Sequence, residues 1–194
     1  MRLVKFFVMR HGERNNDNLT KRGRHQVEGA ARLHLNHINF AVAFCSPKKR
    51  TGQAVEVALR AINQDNIELV TSQDFWYDWL EENFEAALDE YVIVEQRIGD
   101  TATVQVWLDN WAPAKQMRQI LTATLIRIAE NLPGKNDSAV LIGCHQVLAE
   151  LAVLDPATTT VLDFADIVRY VVEITDEGIG RLIASEILKA PTIE

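Results

Sequence analysis

The chain has 194 residues, 47% of them hydrophobic, and a formal net charge of −7. That length and apolar fraction suit one domain around a single core, and the acidic balance argues against general nucleic-acid binding, which rests on neutralising phosphates with Lys and Arg. No apolar run is long enough to cross a bilayer, and two cysteines, Cys45 and Cys144, make no disulfide framework, so a reducing cytoplasmic setting without membrane partners is expected.

The charge is uneven. Residues 1–50 hold 11 Lys and Arg against 3 Asp and Glu, which leaves 9 against 24 in the remainder. Such asymmetry can mark an anion-binding face. Lys21, Arg22, Arg24 and Arg32 read as the solvated side of one helix, whereas Arg10 and Arg50 stand where apolar segments end.

The first of those segments, Leu3 to Met9, reads as a buried strand that stops at Arg10-His11-Gly12-Glu13. A polar loop at 15–18 follows, and Thr20 is a good N-cap for a helix over roughly 21–36. A second strand, Phe40 to Cys45, runs into Ser46-Pro47-Lys48-Lys49-Arg50, with Ser46 predicted to cap a helix that has Pro47 at its first position and ends near Asn63. Ile67 to Val70 is a weaker third strand. Residues 75–132 are predicted to hold several helices, with a pair flanking Trp111-Ala112-Pro113 and an apolar helical period through Ile120, Leu121, Leu125, Ile128 and Ala129. Leu132-Pro133-Gly134 breaks the chain before a strand at 138–144 that ends in His145, and a helix is predicted over about 146–154. Ile167–Ile174 and Arg181–Ile187 flank a turn and read as a hairpin. Strands alternating with helices imply a three-layer α/β/α sandwich with a mostly parallel sheet, as one domain spanning 1–194.

In such sheets ligands bind beyond the carboxyl ends of the strands, which is where Arg10, His11, Arg50 and His145 fall. Arginine binds phosphate bidentately and stays charged, and a neutral imidazole can attack phosphorus to give a covalent intermediate. Two arginines and two histidines at strand ends therefore make a phosphoryl pocket. His25, His34 and His37 read as surface, and the two cysteines as small buried hydrophobes. No spacing of His, Cys or carboxylates suggests a metal, and no cofactor is expected. Trp76, Trp79, Trp107 and Trp111 concentrate after the third strand, so residues 73–115 are expected to lie over the pocket and shape substrate choice.

Phe7 to Glu13 resembles the opening motif of the histidine phosphatase superfamily, which includes cofactor-dependent phosphoglycerate mutases and many small phosphatases. Leu19-Thr20, Gly23 and Gln26 resemble its Leu-Thr-x-x-Gly-x-x-Gln element, Ser46 to Ala54 its second phosphate-binding segment, and Leu141 to Gln146 the segment with its second histidine. The resemblance implies a phosphoglycerate mutase-like fold, His11 as the phosphorylated nucleophile, and Arg10, Arg50 and His145 around the phosphoryl oxygens. Gly12, Asn16, Asp17 and Asp78 join the implied phosphate pocket, Asp17 holding the usual spacing of the family's Asn. For the proton donor, Leu80-x-Glu82 fits the family pattern best, with Asp78 second and Glu81 third.

The expected activity is metal-independent hydrolysis of a phosphomonoester, either a small phosphorylated metabolite or a phosphoprotein, with a homodimer among the possible assemblies. The alternatives are mutase-type phosphotransfer, protein phosphohistidine hydrolysis, and a non-catalytic module that binds phosphorylated ligands.

Overall fold

A computed structural model describes residues 1–76, 84–98 and 102–192. Its centre is β1 (Arg2–Arg10). Val4, Phe6 and Val8 enter the core on one face of the sheet, and Phe7 and Met9 enter the core on the other. Burial on both faces explains why this strand reads as a near-continuous apolar run.

Around it a six-stranded sheet has the order β5-β4-β6-β1-β7-β8, with β4 (Val42–Cys45), β5 (Leu69–Thr71), β6 (Ser138–Cys144), β7 (Ile167–Ile174) and β8 (Gly180–Leu188). The first four in that order are parallel; β7 pairs antiparallel to β1, and β8 pairs antiparallel to β7 in the anticipated hairpin. Helices α1 (Lys21–His34) and α2 (Lys49–Ala61) cover one face. Helices α3 (Phe84–Ile98), α4 (Val104–Asn110) and α5 (Pro113–Asn131) cover the other. The layers are those of an α/β/α sandwich. Arg2 ties β1 to the end of α5, its guanidinium donating to the Ala129 and Leu132 carbonyls at 2.8 Å.

Three local expectations are corrected. Ser46 does not cap α2: the helix begins after Lys48, and Ser46 Oγ is turned toward His145 instead. The predicted helix over 146–154 is a series of turns. Val147 adopts a left-handed φ of 69°, which breaks a right-handed helix at its first turn. The polar loop at 15–18 is in fact a tight hairpin, β2 (Arg14–Asn15) with β3 (Asn18–Leu19). Asn16 takes its left-handed position, which Asn tolerates better than most residues.

Candidate active site at the ends of the parallel strands

Strand register places the site. Arg10 pairs with Cys144 on β6, and Cys45 of β4 pairs with Gly143, so the next residues out are His11, His145 and Ser46 on three adjacent strand ends. The His11 amide donates to the Cys144 carbonyl at 3.2 Å. The two imidazole rings come to lie 5.5 Å apart.

Glycines let the elements behind the site close up. A Cβ on Gly12 would stand 2.2 Å from the Gly23 carbonyl oxygen, so α1 packs against the loop after His11 backbone to backbone. A Cβ on Gly143 would stand 2.6 Å from the Thr51 carbonyl oxygen, which allows α2 to rest directly on β6. Thr20 caps α1 by accepting from the Gly23 amide and donates to Glu13 Oε1, while Gln26 Oε1 accepts from the Glu13 amide. The Thr20, Gly23 and Gln26 element thus braces the loop that carries His11.

His11 is 5% exposed, and its Nδ1 lies 2.8 Å from the Gly12 carbonyl oxygen. A carbonyl only accepts, so Nδ1 carries the proton and Nε2 presents its lone pair. Nε2 faces Arg50 Nε–H at 3.1 Å. Burial, followed by the positive fields of Arg50, Arg10 and Arg14, brings the His11 pKa down to about 3 even though the Gly12 hydrogen bond opposes this. His11 is therefore a neutral imidazole whose unprotonated Nε2 accepts from the Arg50 guanidinium.

Arg50 spans the site. Its Nη1 donates to Asp17 Oδ1 at 2.7 Å and its Nη2 to His145 Nδ1 at 3.3 Å. Asp17, at the tip of the β2–β3 hairpin, also accepts from the Lys49 amide in the first turn of α2, the favoured end for an anion. Partial burial raises the Asp17 pKa, but these bonds and the Arg50 charge outweigh it and leave it lowered. In this structure Asp17 orients Arg50, whereas Asn16 is exposed and offers its carbonyl to Arg14.

His145 is 4% exposed and held below its ordinary pKa by burial and then by Arg50. Because Arg50 can only donate to Nδ1, the ring proton sits on Nε2, which donates to Ser46 Oγ at 2.7 Å. Ser46 Oγ lies 2.9 Å from Thr51 Oγ1, which also donates to the Ser46 and Lys48 carbonyls. Trp76 packs edge-on to His145 at 4.7 Å, and Lys48 Nζ lies 4.2 Å over the Trp76 ring.

Arg10 stands on the opposite side. Its Nη1 donates to the Leu162 carbonyl at 2.6 Å, and its guanidinium lies 4.3 Å over Phe164, whose ring is 6.2 Å from that of His11. A cleft of about 450 Å³ opens here, with Arg10, Glu95, Gln146, Asp163, Phe164 and Lys189 among its walls. Asp78, Glu81, Glu82 and Trp79 lie outside the described residues. Trp107 and Trp111 pack with Tyr91 inside the core, away from the surface. Of the histidines read as surface, His25 and His37 are exposed, and His34 is half-buried with Nε2 2.7 Å from the Lys189 carbonyl oxygen. Both cysteines are buried, and burial pushes the Cys144 thiol up to about 12. Among the described residues, no three His, Cys, Asp or Glu side chains gather as a metal site.

The sequence places Ser46 and Lys48 in the segment that resembles the second phosphate-binding element but gives neither a role of its own, and it does not point to Glu150. Ser46 carried a signal, its place at a strand end beside β6; Glu150 carried none.

Residues 6–169 match the family model of the Histidine phosphatase superfamily (branch 1). The chain belongs to this superfamily. No curated protein matches its sequence. Among solved structures it is similar to a phosphoglycerate mutase from Bacillus anthracis, with 15% identity, TM-score 0.62, and 94% of this chain and 92% of that one covered. It is also similar to a mycobacterial glucosyl-3-phosphoglycerate phosphatase (17% identity, TM-score 0.55, 94% and 98% covered). A third is the alpha-ribazole phosphatase from Shigella flexneri (16% identity, TM-score 0.53, 98% and 99% covered). At these identities the likeness is one of fold, and the fold is that of the phosphoglycerate mutase-like histidine phosphatases.

Proposed function

We propose that this protein is a metal-independent phosphatase that hydrolyses a phosphomonoester through a phosphohistidine at His11. The observation that carries this reading is the geometry at His11. Its proton is fixed on Nδ1 by the Gly12 carbonyl, its pKa is held near 3, and Nε2 faces the Arg50 guanidinium, where a phosphoryl group would be held.

Nε2 forms a bond to phosphorus as the bond to the ester oxygen breaks. Charge on the equatorial oxygens is met by Arg50 and Arg10, so the fixed cations supply electrostatic stabilisation, and His145, with Nδ1 turned to Arg50, helps hold that guanidinium in place. The departing oxygen takes a proton from a carboxylic acid, with Glu82 first, Asp78 second and Glu81 third by sequence. The carboxylate so formed then takes a proton from water, whose oxygen attacks phosphorus and returns the electron pair to Nε2. Arg14 adds positive charge near both histidines and Lys48 near His145, which supports an anionic substrate, a small phosphorylated metabolite or a phosphoprotein. Residues 73–115 shape the choice of substrate, with Trp76 against His145 as the supporting contact.

Hydrolysis of a chromogenic aryl phosphate in the presence of a chelator tests the reading. Turnover by the wild type, lost in His11→Ala, is expected; equal turnover by both, or strict dependence on an added metal, would overturn it.

A further inference from the structure

Glu150 is fully buried, yet no step above uses it. Its Oε1 accepts from two backbone amides, Val147 at 3.0 Å and Leu162 at 3.1 Å. Val147 is two residues beyond His145 and sits at a φ of 69°, a left-handed conformation that is a genuine outlier for a β-branched residue. Such backbone persists only where its surroundings hold it, and it clusters at functional sites. The Leu162 carbonyl is the acceptor that holds Arg10 Nη1 at 2.6 Å. One carboxylate therefore joins the turn that follows His145 to the loop that holds Arg10.

The surroundings of Glu150 single out Arg10. The carboxylate feels Arg10 from β1, Tyr91 from α3, Cys144 from β6 and Tyr170 from β7. The Tyr91 hydroxyl donates to Glu95, that of Tyr170 to the Ala149 carbonyl, and Cys144 to the Phe75 carbonyl. Arg10 is the cation among these four. Among the described residues, Arg10 Nε and Glu150 Oε2 are buried without a hydrogen-bond partner. Two opposite charges, each with one unsatisfied buried atom, fit a linkage kept for its effect on the site rather than for stability alone.

We infer that Glu150 is a positioning residue: its carboxylate clamps the Val147 and Leu162 amides together and so sets where Arg10 stands relative to His145 across the phosphoryl pocket. This rests on the phosphoryl reading of that pocket. Burial pushes the carboxyl up to about 7 against the opposing effect of the two amides and Arg10, so its ionisation falls in the working range of pH. An ionised acceptor binds amides about twice as strongly as a neutral one, so the clamp tightens as pH rises.

The test compares wild type, E150Q and E150L on an aryl phosphate, together with vanadate binding by calorimetry, which needs no turnover. E150L, without acceptors, is expected to lose at least tenfold in kcat/KM and in vanadate affinity while its far-UV circular dichroism stays that of the wild type. E150Q, which keeps a neutral acceptor, is expected to match the wild type near pH 5.5 and to fall at least threefold behind by pH 8.5. A folded E150L within twofold of wild type overturns the proposal, and so does a ratio of wild type to E150Q that is flat or falls with pH. If E150L does not fold, the E150Q ratio decides. A wild type that binds vanadate but hydrolyses nothing contradicts the phosphatase reading and leaves the clamp to be judged by binding.

Discussion

Ser46 Oγ lies 2.7 Å from His145 Nε2, and this contact fixes which nitrogen of the second histidine faces the pocket. With its proton on Nε2 and committed to Ser46, the ring turns Nδ1 to Arg50. Ser46→Ala leaves a buried Nε2–H unsatisfied, which costs about 1–3 kcal/mol. Lower stability by that amount in urea unfolding is expected, with kcat/KM reduced at least tenfold. Unchanged kinetics would show that this hydroxyl does not orient the ring.

Asp17 and Arg50 form an ion pair in which the arginine is the more buried partner. Asp17→Asn keeps one neutral acceptor, for Arg50 or for the Lys49 amide, and removes a negative charge beside the pocket. A dianionic substrate should then meet less repulsion. KM is expected to fall severalfold at low salt with kcat little changed, and the gain should shrink as ionic strength rises. A higher KM would mean that orienting Arg50 outweighs the charge.

Gly12→Ala places a methyl group against the Gly23 backbone, which is not a flexible side-chain end that could move aside. Overpacking of this kind costs roughly 1–3 kcal/mol or more. The denaturation midpoint should drop accordingly, and activity should drop with it because the Gly12 carbonyl sets the His11 tautomer. Wild-type stability in Gly12→Ala would contradict the packing described.

The histidines and Glu150 should tilt stability in opposite directions with pH. His11 titrates near 6.5 unfolded and about 3 folded, so below pH 6.5 the unfolded chain binds a proton that the folded one refuses. Stability from this group is complete above 6.5 and lost toward pH 3, by up to roughly 5 kcal/mol at about 1.4 kcal/mol per unit. Glu150 runs the other way: its pKa rises from 4.5 to about 7, so stability falls as pH increases between those values, by roughly 3 kcal/mol. Unfolding free energies measured from pH 4 to 8 should show a flatter acid limb in His11→Gln and a flatter neutral limb in Glu150→Gln. Parallel curves for wild type and either variant would contradict the corresponding shift.

A proton donor reveals itself by the leaving group. An alkyl phosphate needs a proton in the transition state and an aryl phosphate does not, so Glu82→Gln should lose about 10²–10⁴-fold in the phosphorylation burst on the alkyl ester and far less on the aryl ester. An undiminished alkyl burst moves the role to Asp78 or Glu81.

The parts of this site that could be read in advance are those in which local pattern and global fold agree. Each of β1, β4 and β6 is an apolar run that stops at a polar or charged residue. That pattern points to Arg10, His11, Arg50 and His145, which the structure gathers around the strand ends. Ser46 reads as a cap because Ser-Pro at a helix start is a strong capping signal, whereas its bond to His145 exists only through the β4–β6 register. The turn after His145 reads as helix because its residues have ordinary helix propensity, and what overrides it is a carboxylate whose amide partners include one 12 residues away. Trp107 and Trp111 gave an aromatic cluster but not its side of the sheet, which is decided by packing against Tyr91.

The central claim is the covalent intermediate on His11. Wild-type protein mixed briefly with labelled aryl phosphate and quenched without acid should carry one acid-labile, base-stable phosphoryl group, mapped by peptide mass spectrometry to His11 and absent from His11→Ala. Label found instead on Ser46, Cys144 or His145, or hydrolysis with no label on His11 under conditions that accumulate the intermediate, would contradict it.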